Sequence, residues 1–231
     1  MSPAPIVFLF DVDNTLLDND RVTAELQENL EREVGPEGSR CYWELFESLR
    51  RELGYADYLG ALQRYRLEYQ HEPHLLAVSR FLIDYPFSER LFPGALEVVA
   101  RVKRWGPAVI LSDGDVVFQP RKVDRSGLAV AVDGNVLLYI HKERELDDVR
   151  LRFPAEHYVM IDDKLRILTA IKSSWGKRVT TVFVRQGHYA LDAAAVACYP
   201  AADRSVDRIA DLLNYELGQF TAADQAQRGT A

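Results

Sequence analysis

The sequence has no apolar run near the roughly 20 residues of a membrane span. It has no run of basic residues, and its net charge of -7 argues against non-specific binding of nucleic acid. The only two cysteines, Cys41 and Cys198, lie far apart without metal-ligand spacing, as is typical of reduced compartments. The N-terminal apolar run lacks a basic flank and is too short for a signal peptide. We expect a soluble cytoplasmic protein that binds neither nucleic acid nor membrane.

The apolar run Ile6–Phe10 leads directly into Asp11-Val12-Asp13-Asn14-Thr15. Such a run predicts a strand buried in a parallel sheet. The strand would carry Asp11 and Asp13 to its C-terminal end, which is the edge where open α/β sheets bind ligands. Two carboxylates this close are unfavourable unless a cation or a reaction requires them. The pattern therefore predicts metal-assisted phosphoryl transfer.

The segment that follows is helical in character. Between about residues 20 and 89 it has charged, helix-forming stretches, no β-like run, and breaks such as Gly35-Pro36. We interpret residues 18–89 as a small α-helical cap inserted into an α/β core of residues 1–17 and 90–222. Residues 223–231 are predicted to be a disordered tail.

Beyond residue 90, apolar strands alternate with helices, which predicts a Rossmann-like three-layer α/β/α sandwich with a parallel sheet. Within it we expect a β pair, Ala129–Val132 with Val136–Ile140, turned at Asp133-Gly134-Asn135. We expect Ser205–Leu217 to close the fold as a helix. The parallel strands would collect the polar residues that follow them along one edge, namely Asp11 and Asp13, Ser112, Lys142, and Asp162 with Asp163.

The order and spacing of these clusters resemble the haloacid dehalogenase superfamily, on its phosphatase branch with a helical cap inserted after the first motif. The first motif of that family, two aspartates around one residue and then threonine, matches residues 11–15. Ser112 matches the second motif, Lys142 the third, and the acidic pair Asp162-Asp163 the fourth. The resemblance covers nearly the whole chain, and only the cap lacks a recognisable signature.

The resemblance implies catalytic roles. Asp11 would be the nucleophile that forms an aspartyl-phosphate, and Asp13 would be the general acid and then the general base. Dehalogenases of the family lack this second carboxylate, so Asp13 favours phosphoester hydrolysis. Lys142 would offset charge on the nucleophile and the transferred group. Lys122 is a rival for this place, but it lies in the middle of a predicted helix, where a solvent-exposed side chain is the usual explanation.

The resemblance also implies binding groups. Mg²⁺ would be held by the carboxylates of Asp11 and Asp162 and the backbone carbonyl of Asp13, with Asp163 acting through water or from just outside the ligands. The Ser112 hydroxyl and the amides of Asp113 and Gly114 would bind phosphoryl oxygens.

The implied activity is magnesium-dependent hydrolysis of a small phosphorylated metabolite. A phosphomutase of the same superfamily would keep every motif position, so the motifs do not separate the two activities. A non-catalytic phosphate-binding module on the same fold is the alternative from another class, and it would be expected if Asp11 or Asp13 were missing.

Overall fold

The computed structural model describes residues 3–221. Its six strands are β1 Ala4–Phe10, β2 Ala108–Asp113, β3 Val136–Tyr139, β4 Ala155–Asp162, β5 Val179–Val184 and β6 Arg204–Val206. They form one parallel sheet in the order β3-β2-β1-β4-β5-β6. The strand order reverses between β1 and β4, and in such sheets ligands bind at the carboxyl ends of the strands on either side of the reversal.

Eleven helices and four short 3₁₀ turns connect or follow the strands in the described part of the chain. The helices are α1 Asn19–Leu53, α2 Tyr58–Glu68, α3 Leu75–Asp84, α4 Ala95–Val102, α5 Phe118–Arg125, α6 Leu128–Ala131, α7 Leu146–Arg152, α8 Leu165–Trp175, α9 Gly187–Leu191, α10 Ala193–Ala197 and α11 Leu217–Phe220. The 3₁₀ turns are Phe87–Arg90, Lys142–Arg144, Gly176–Arg178 and Ile209–Asn214. None of the helices within residues 3–221 is long and apolar enough to cross a membrane.

The central strand β1 is buried on both faces of the sheet. Phe8 and Phe10 belong to one hydrophobic cluster, whereas Val7 and Leu9 belong to a second one. Strand side chains alternate between faces, so the two clusters lie on opposite sides of the sheet. Helices α4 and α5 contribute to the first cluster, and α7 and α8 to the second. The predicted three-layer α/β/α sandwich is confirmed.

Helices α1 to α3 lie between β1 and β2 in the chain, as the interpretation of a helical insert requires. The predicted break at Gly35-Pro36 is a kink inside α1, where Gly35 has φ 76° and ψ 170°. Tyr42 and Phe46 of α1 share a cluster with Phe8 and Phe10 of β1, so the insert packs on the same apolar core as one face of the sheet. The domain boundaries at residues 17/18 and 89/90 remain a prediction. The predicted tail, 223–231, lies outside the described residues.

The expected β pair is wrong in its first half. Residues 128–131 form the short helix α6, because Leu128 and Val132, four residues apart, are buried while Val130 between them is 79% exposed. That spacing follows the helical period rather than the strand period. The second half, β3, pairs with β2 in parallel, with Ser112 opposite Leu138.

The expected closing helix is also wrong. Its first residues pair with β5 as the edge strand β6, with Phe183 opposite Ser205. The Arg185 amide also donates to the Val206 carbonyl at 2.9 Å. These hydrogen bonds to the sheet outweigh local helix propensity, and the segment continues as the 3₁₀ turn Ile209–Asn214.

Candidate active site

A tight loop after β1 sets the position of Asp11. Its amide donates to the Ile161 carbonyl of β4 at 3.0 Å, which extends the sheet by one residue. The Val12 carbonyl then accepts the amides of Thr15, Leu16 and Leu17 at 3.2, 2.9 and 3.0 Å, which turns the chain sharply. The turn brings the Thr15 hydroxyl within 3.2 Å of Asp11 Oδ2, to which it donates. Thr15 therefore fixes the orientation of the Asp11 carboxylate.

Three buried carboxylates and a buried lysine meet at the ends of β1 and β4. Carboxylate oxygens of Asp11, Asp162 and Asp163 lie within 4.8 Å of one another. Lys142, 2% exposed, places its Nζ 2.5 Å from Asp11 Oδ1 and 2.7 Å from Asp162 Oδ2. Burial opposes the charged form of Lys142, but the charges of Asp11 and Asp162 outweigh it and raise its pKa. Lys142 therefore contacts two of the three carboxylates directly.

The residues at this site fit a hard divalent cation. Neither carboxylate oxygen of Asp163 has a hydrogen-bond partner among residues 3–221, although the side chain is fully buried. Burial raises the pKa of Asp163 well above its usual value, against the opposing charge of Lys164. Oxygens that share an octahedral Mg²⁺ lie about 3 to 4 Å apart, and those of this trio all lie within 4.8 Å of one another. The Asp13 carbonyl also accepts no hydrogen bond in the described part of the chain.

We expect Mg²⁺ to stabilise the protein against heating. At about 100 times its dissociation constant, a ligand that binds only the folded state adds about 2.7 kcal/mol, or roughly 5 to 10 °C for a chain of this size. Asp163→Asn removes the unpaired buried charge, so the metal-free variant should melt above the metal-free wild type at pH 8 and gain less from Mg²⁺. Scanning calorimetry with Mg²⁺ or EDTA measures both effects.

The pH dependence of the same melting experiment is an internal check. Burial raises the pKa of Asp162 from 3.8 to about 6, against the opposing charge of Lys142. The folded state thus binds this proton more tightly than the unfolded chain, so metal-free stability should fall as the pH rises through that interval. The matched control is Asp133→Asn, an exposed carboxylate whose loop precedes β3 at the opposite edge of the sheet. An equal gain from Mg²⁺ in wild type and Asp163→Asn would contradict the metal site.

A second polar network lies beside this cluster. Asp13 Oδ1 accepts from Lys122 Nζ at 2.6 Å. Gln119 Nε2 donates to Ser112 Oγ at 3.0 Å and has a longer contact, 3.4 Å, with Asp13 Oδ2. The interpretation of Lys122 as solvent-exposed is wrong, because its side chain is only 1% exposed. Sequence reasoning assigned no role to Gln119. The sequence signal for a buried polar face is the spacing of residues 119 and 122, which are both polar and about one helical turn apart.

Of the two amides that follow Ser112, that of Gly114 has another partner than the expected phosphate. The Gly114 amide donates to the Tyr139 carbonyl at 3.0 Å, which occupies the donor predicted for the phosphoryl group. The Asp113 carboxylate accepts from the Lys142 amide at 2.6 Å and thereby holds the turn that carries this lysine. Burial raises the pKa of Asp113 against the charge of Lys142. The geometry therefore argues against the Gly114 amide as a phosphate donor.

A cleft of about 690 Å³ opens over this edge of the sheet, between it and the helical insert. Asp13 and Gln119 line its floor, and aromatic residues of the insert line a wall, among them Trp43, Phe46 and Tyr58. Arg50 of α1 reaches across to hydrogen-bond the Tyr189 hydroxyl of α9. Contacts from both sides thus enclose the space where a substrate would meet Asp13.

Comparison with known proteins identifies the family and the fold. Residues 7–174 match the model of the haloacid dehalogenase-like hydrolase family. A protein from Burkholderia xenovorans LB400, described as a haloacid dehalogenase-like hydrolase, is 61% identical, with a TM-score of 0.88 over 93% of this chain and 100% of its own. No curated protein matches the sequence significantly.

More distant structures share the fold. The HAD-hydrolase YfnB from Bacillus subtilis, bound to magnesium, is 17% identical, with a TM-score of 0.59 over 91% of this chain and 98% of its own. The L-2-haloacid dehalogenase from Xanthobacter autotrophicus, with chloropropionic acid covalently bound, is 18% identical, with a TM-score of 0.57 over 90% and 96%. At these identities the likeness establishes the fold and leaves the reaction to the site residues.

Proposed function

Since this chain belongs to the haloacid dehalogenase-like hydrolase family, we propose that it is a magnesium-dependent hydrolase of small phosphorylated metabolites. The observation that carries this proposal is a second carboxylate, Asp13, which borders the cleft two residues after Asp11. An alkoxide that leaves phosphorus needs a proton, whereas a halide that leaves carbon does not. A dehalogenase would have no use for this acid.

The first step is in-line attack by a carboxylate oxygen of Asp11 on phosphorus. The bond between phosphorus and the leaving oxygen breaks, and the Asp13 carboxylic acid gives its proton to that oxygen. The products are the alcohol and an aspartyl-phosphate at Asp11. The Thr15 hydroxyl holds the attacking carboxylate, and the Lys142 ammonium offsets the negative charge that gathers between nucleophile and phosphoryl group.

The second step returns the enzyme to its starting state. The Asp13 carboxylate, now without its proton, accepts one from a water molecule, whose oxygen attacks phosphorus. The bond between Asp11 and phosphorus breaks and inorganic phosphate leaves. Microscopic reversibility makes Asp13 the base here because it was the acid before. The Ser112 hydroxyl would donate to a phosphoryl oxygen in both steps.

Mg²⁺ would be held by the carboxylates of Asp11 and Asp162 and the backbone carbonyl of Asp13, with Asp163 beside them. When bound, it would neutralise charge on the phosphoryl oxygens and on the acidic cluster. The unpaired, buried oxygens of Asp163 support this assignment.

The direct test is phosphate release from p-nitrophenyl phosphate and a panel of metabolite phosphates, with Mg²⁺ or EDTA. We expect release with Mg²⁺ and a loss of about 100-fold with EDTA, since a metal supplies several kcal/mol of charge stabilisation. Halide release from 2-chloropropionate runs in parallel as the competing activity. Halide release without phosphate release would contradict the proposal, and transfer of phosphate within a substrate would identify a phosphomutase instead.

A further inference from the structure

Helix α5 carries two buried polar side chains on one face, and the reaction described above uses neither. Gln119 is 3% exposed and Lys122 is fully buried. Residues three apart on a helix point the same way, and this face is turned toward the loop after β1 and the end of β2. A buried ammonium is costly unless paired, so its partners indicate its purpose.

Lys122 holds one oxygen of the proposed general acid. Its Nζ donates to Asp13 Oδ1 at 2.6 Å and to Asn19 Oδ1 at 2.8 Å, and lies 5.3 Å from the centre of the Phe118 ring. Among residues 3–221, the other oxygen, Asp13 Oδ2, has only the long contact of 3.4 Å with Gln119. The ion pair therefore fixes the Asp13 rotamer and leaves Oδ2 as the oxygen that can exchange a proton.

Gln119 sets the direction of the Ser112 hydroxyl. Its amide nitrogen donates to Ser112 Oγ at 3.0 Å and faces Asp13 Oδ2, which accepts from it when Asp13 is ionised. Because Ser112 Oγ accepts there, its own proton points to another acceptor, and the hydroxyl now makes a long contact of 3.4 Å with the Asp113 carbonyl, which a phosphoryl oxygen would replace. Gly114 permits the approach, since a Cβ at this position would lie 2.6 Å from Gln119 Cβ.

We propose that Lys122 and Gln119 are positioning residues for the reaction. Lys122 holds Asp13 so that its free oxygen meets the leaving group, and Gln119 turns the Ser112 hydroxyl toward the phosphoryl group. The inference rests on the proposed function, because only phosphate ester cleavage needs Asp13 as an acid. Lys122 acts on Asp13 and Gln119 acts on Ser112, so the role of each side chain has its own measurement.

The test for Lys122 is the dependence of kcat/KM on the leaving group. Phenolate leaves less readily than p-nitrophenolate and depends more on a proton from Asp13. We expect Lys122→Met to reduce kcat/KM for phenyl phosphate roughly 10- to 100-fold, part of the 10²- to 10⁴-fold effect of general acid catalysis, and for p-nitrophenyl phosphate less than about 3-fold. Asp13→Asn gives the full size of the leaving-group effect, and Lys122→Arg should restore much of it.

The matched control is Lys172→Met. Lys172 also pairs with an aspartate, Asp203, at 2.7 Å, but it does so beside the start of β5, at the opposite edge of the sheet from the site. We expect it to lower the melting temperature without changing the ratio of the two kcat/KM values. Equal slowing of both esters by Lys122→Met, in a folded variant of an active enzyme, would overturn the inference alone. No turnover of either ester by wild type would overturn the proposed function and the inference with it.

The test for Gln119 is competitive inhibition by inorganic phosphate. Gln119→Leu should raise the inhibition constant of phosphate about tenfold, because one directed hydrogen bond to an anion is lost. The increase should be the same whether phenyl phosphate or p-nitrophenyl phosphate is the substrate. Gln70→Leu, on the exposed surface after α2, is the control that should leave it unchanged. An inhibition constant equal to that of wild type would overturn the role of Gln119.

Discussion

Asp11→Asn should abolish phosphate release, by a factor on the order of 10⁴ or more, while the chain stays folded. Removal of a covalent nucleophile closes the main reaction route, and the residues that remain only bind substrate. An asparagine amide keeps the shape of the side chain and can still accept from Thr15, which lies 3.2 Å away. Phosphate release and trapping of a phosphorylated protein by rapid quench both measure the effect.

The fold should survive because the substitution has two opposing effects. It removes the 2.5 Å pairing of Asp11 with Lys142, and it also removes one of three carboxylates that repel each other. Lys142 keeps Asp162 as a partner at 2.7 Å. The change in unfolding free energy should stay within about 1 kcal/mol. Asp133→Asn is the control for activity, and an Asp11→Asn variant that turns over at the wild-type rate would refute the nucleophile.

The edge of the sheet that bears the acidic cluster could be predicted because its signals are local. Each apolar run ends at its polar residue within a few positions, as with Ile6–Phe10 and Asp11. A parallel sheet must then bring such ends together, and the structure places Asp11, Asp162 and Asp163 within reach of one ion. The helical insert could be predicted for the same reason, since its helix-forming stretches and the break at Gly35-Pro36, which is the kink in α1, are local signals.

The partners of individual side chains could not be predicted, because they depend on contacts between distant segments. A lysine in the middle of a helix is usually exposed. Lys122 is buried because Asp13, 109 positions earlier, lies against α5. Arg50 meets Tyr189, which is 139 residues away. The Gly114 amide was expected to be free because its acceptor, Tyr139, lies in β3. That strand was predicted to pair with residues 129–132, whereas it pairs in parallel with β2. Tertiary pairing overrode the local pattern at each of these positions.

Lys142→Met should be the most damaging of the lysine substitutions, for stability and for activity. It leaves Asp11 and Asp162 without the ammonium that contacts both. Removing one partner of a buried ion pair costs about 3 to 5 kcal/mol of unfolding free energy. Loss of a charge aimed at the reacting group should lower kcat/KM about 10²- to 10³-fold. Calorimetry and phosphate release at saturating Mg²⁺ measure the two effects, with Lys103→Met, which loses a surface pair with Asp133, as the control.

The dependence of kcat/KM on the leaving group distinguishes the two buried lysines. From the sequence, both were candidates for the lysine that offsets charge on the nucleophile and the transferred group. Lys142 touches the nucleophile, so Lys142→Met should slow phenyl phosphate and p-nitrophenyl phosphate by similar factors. Lys122 touches the acid, so Lys122→Met should slow mainly the ester with the poorer leaving group. The opposite pattern would mean that Lys122 offsets charge on the phosphoryl group and that Lys142 only balances the acidic cluster. Equal patterns in the two variants would leave neither lysine with a distinct role and would refute both assignments.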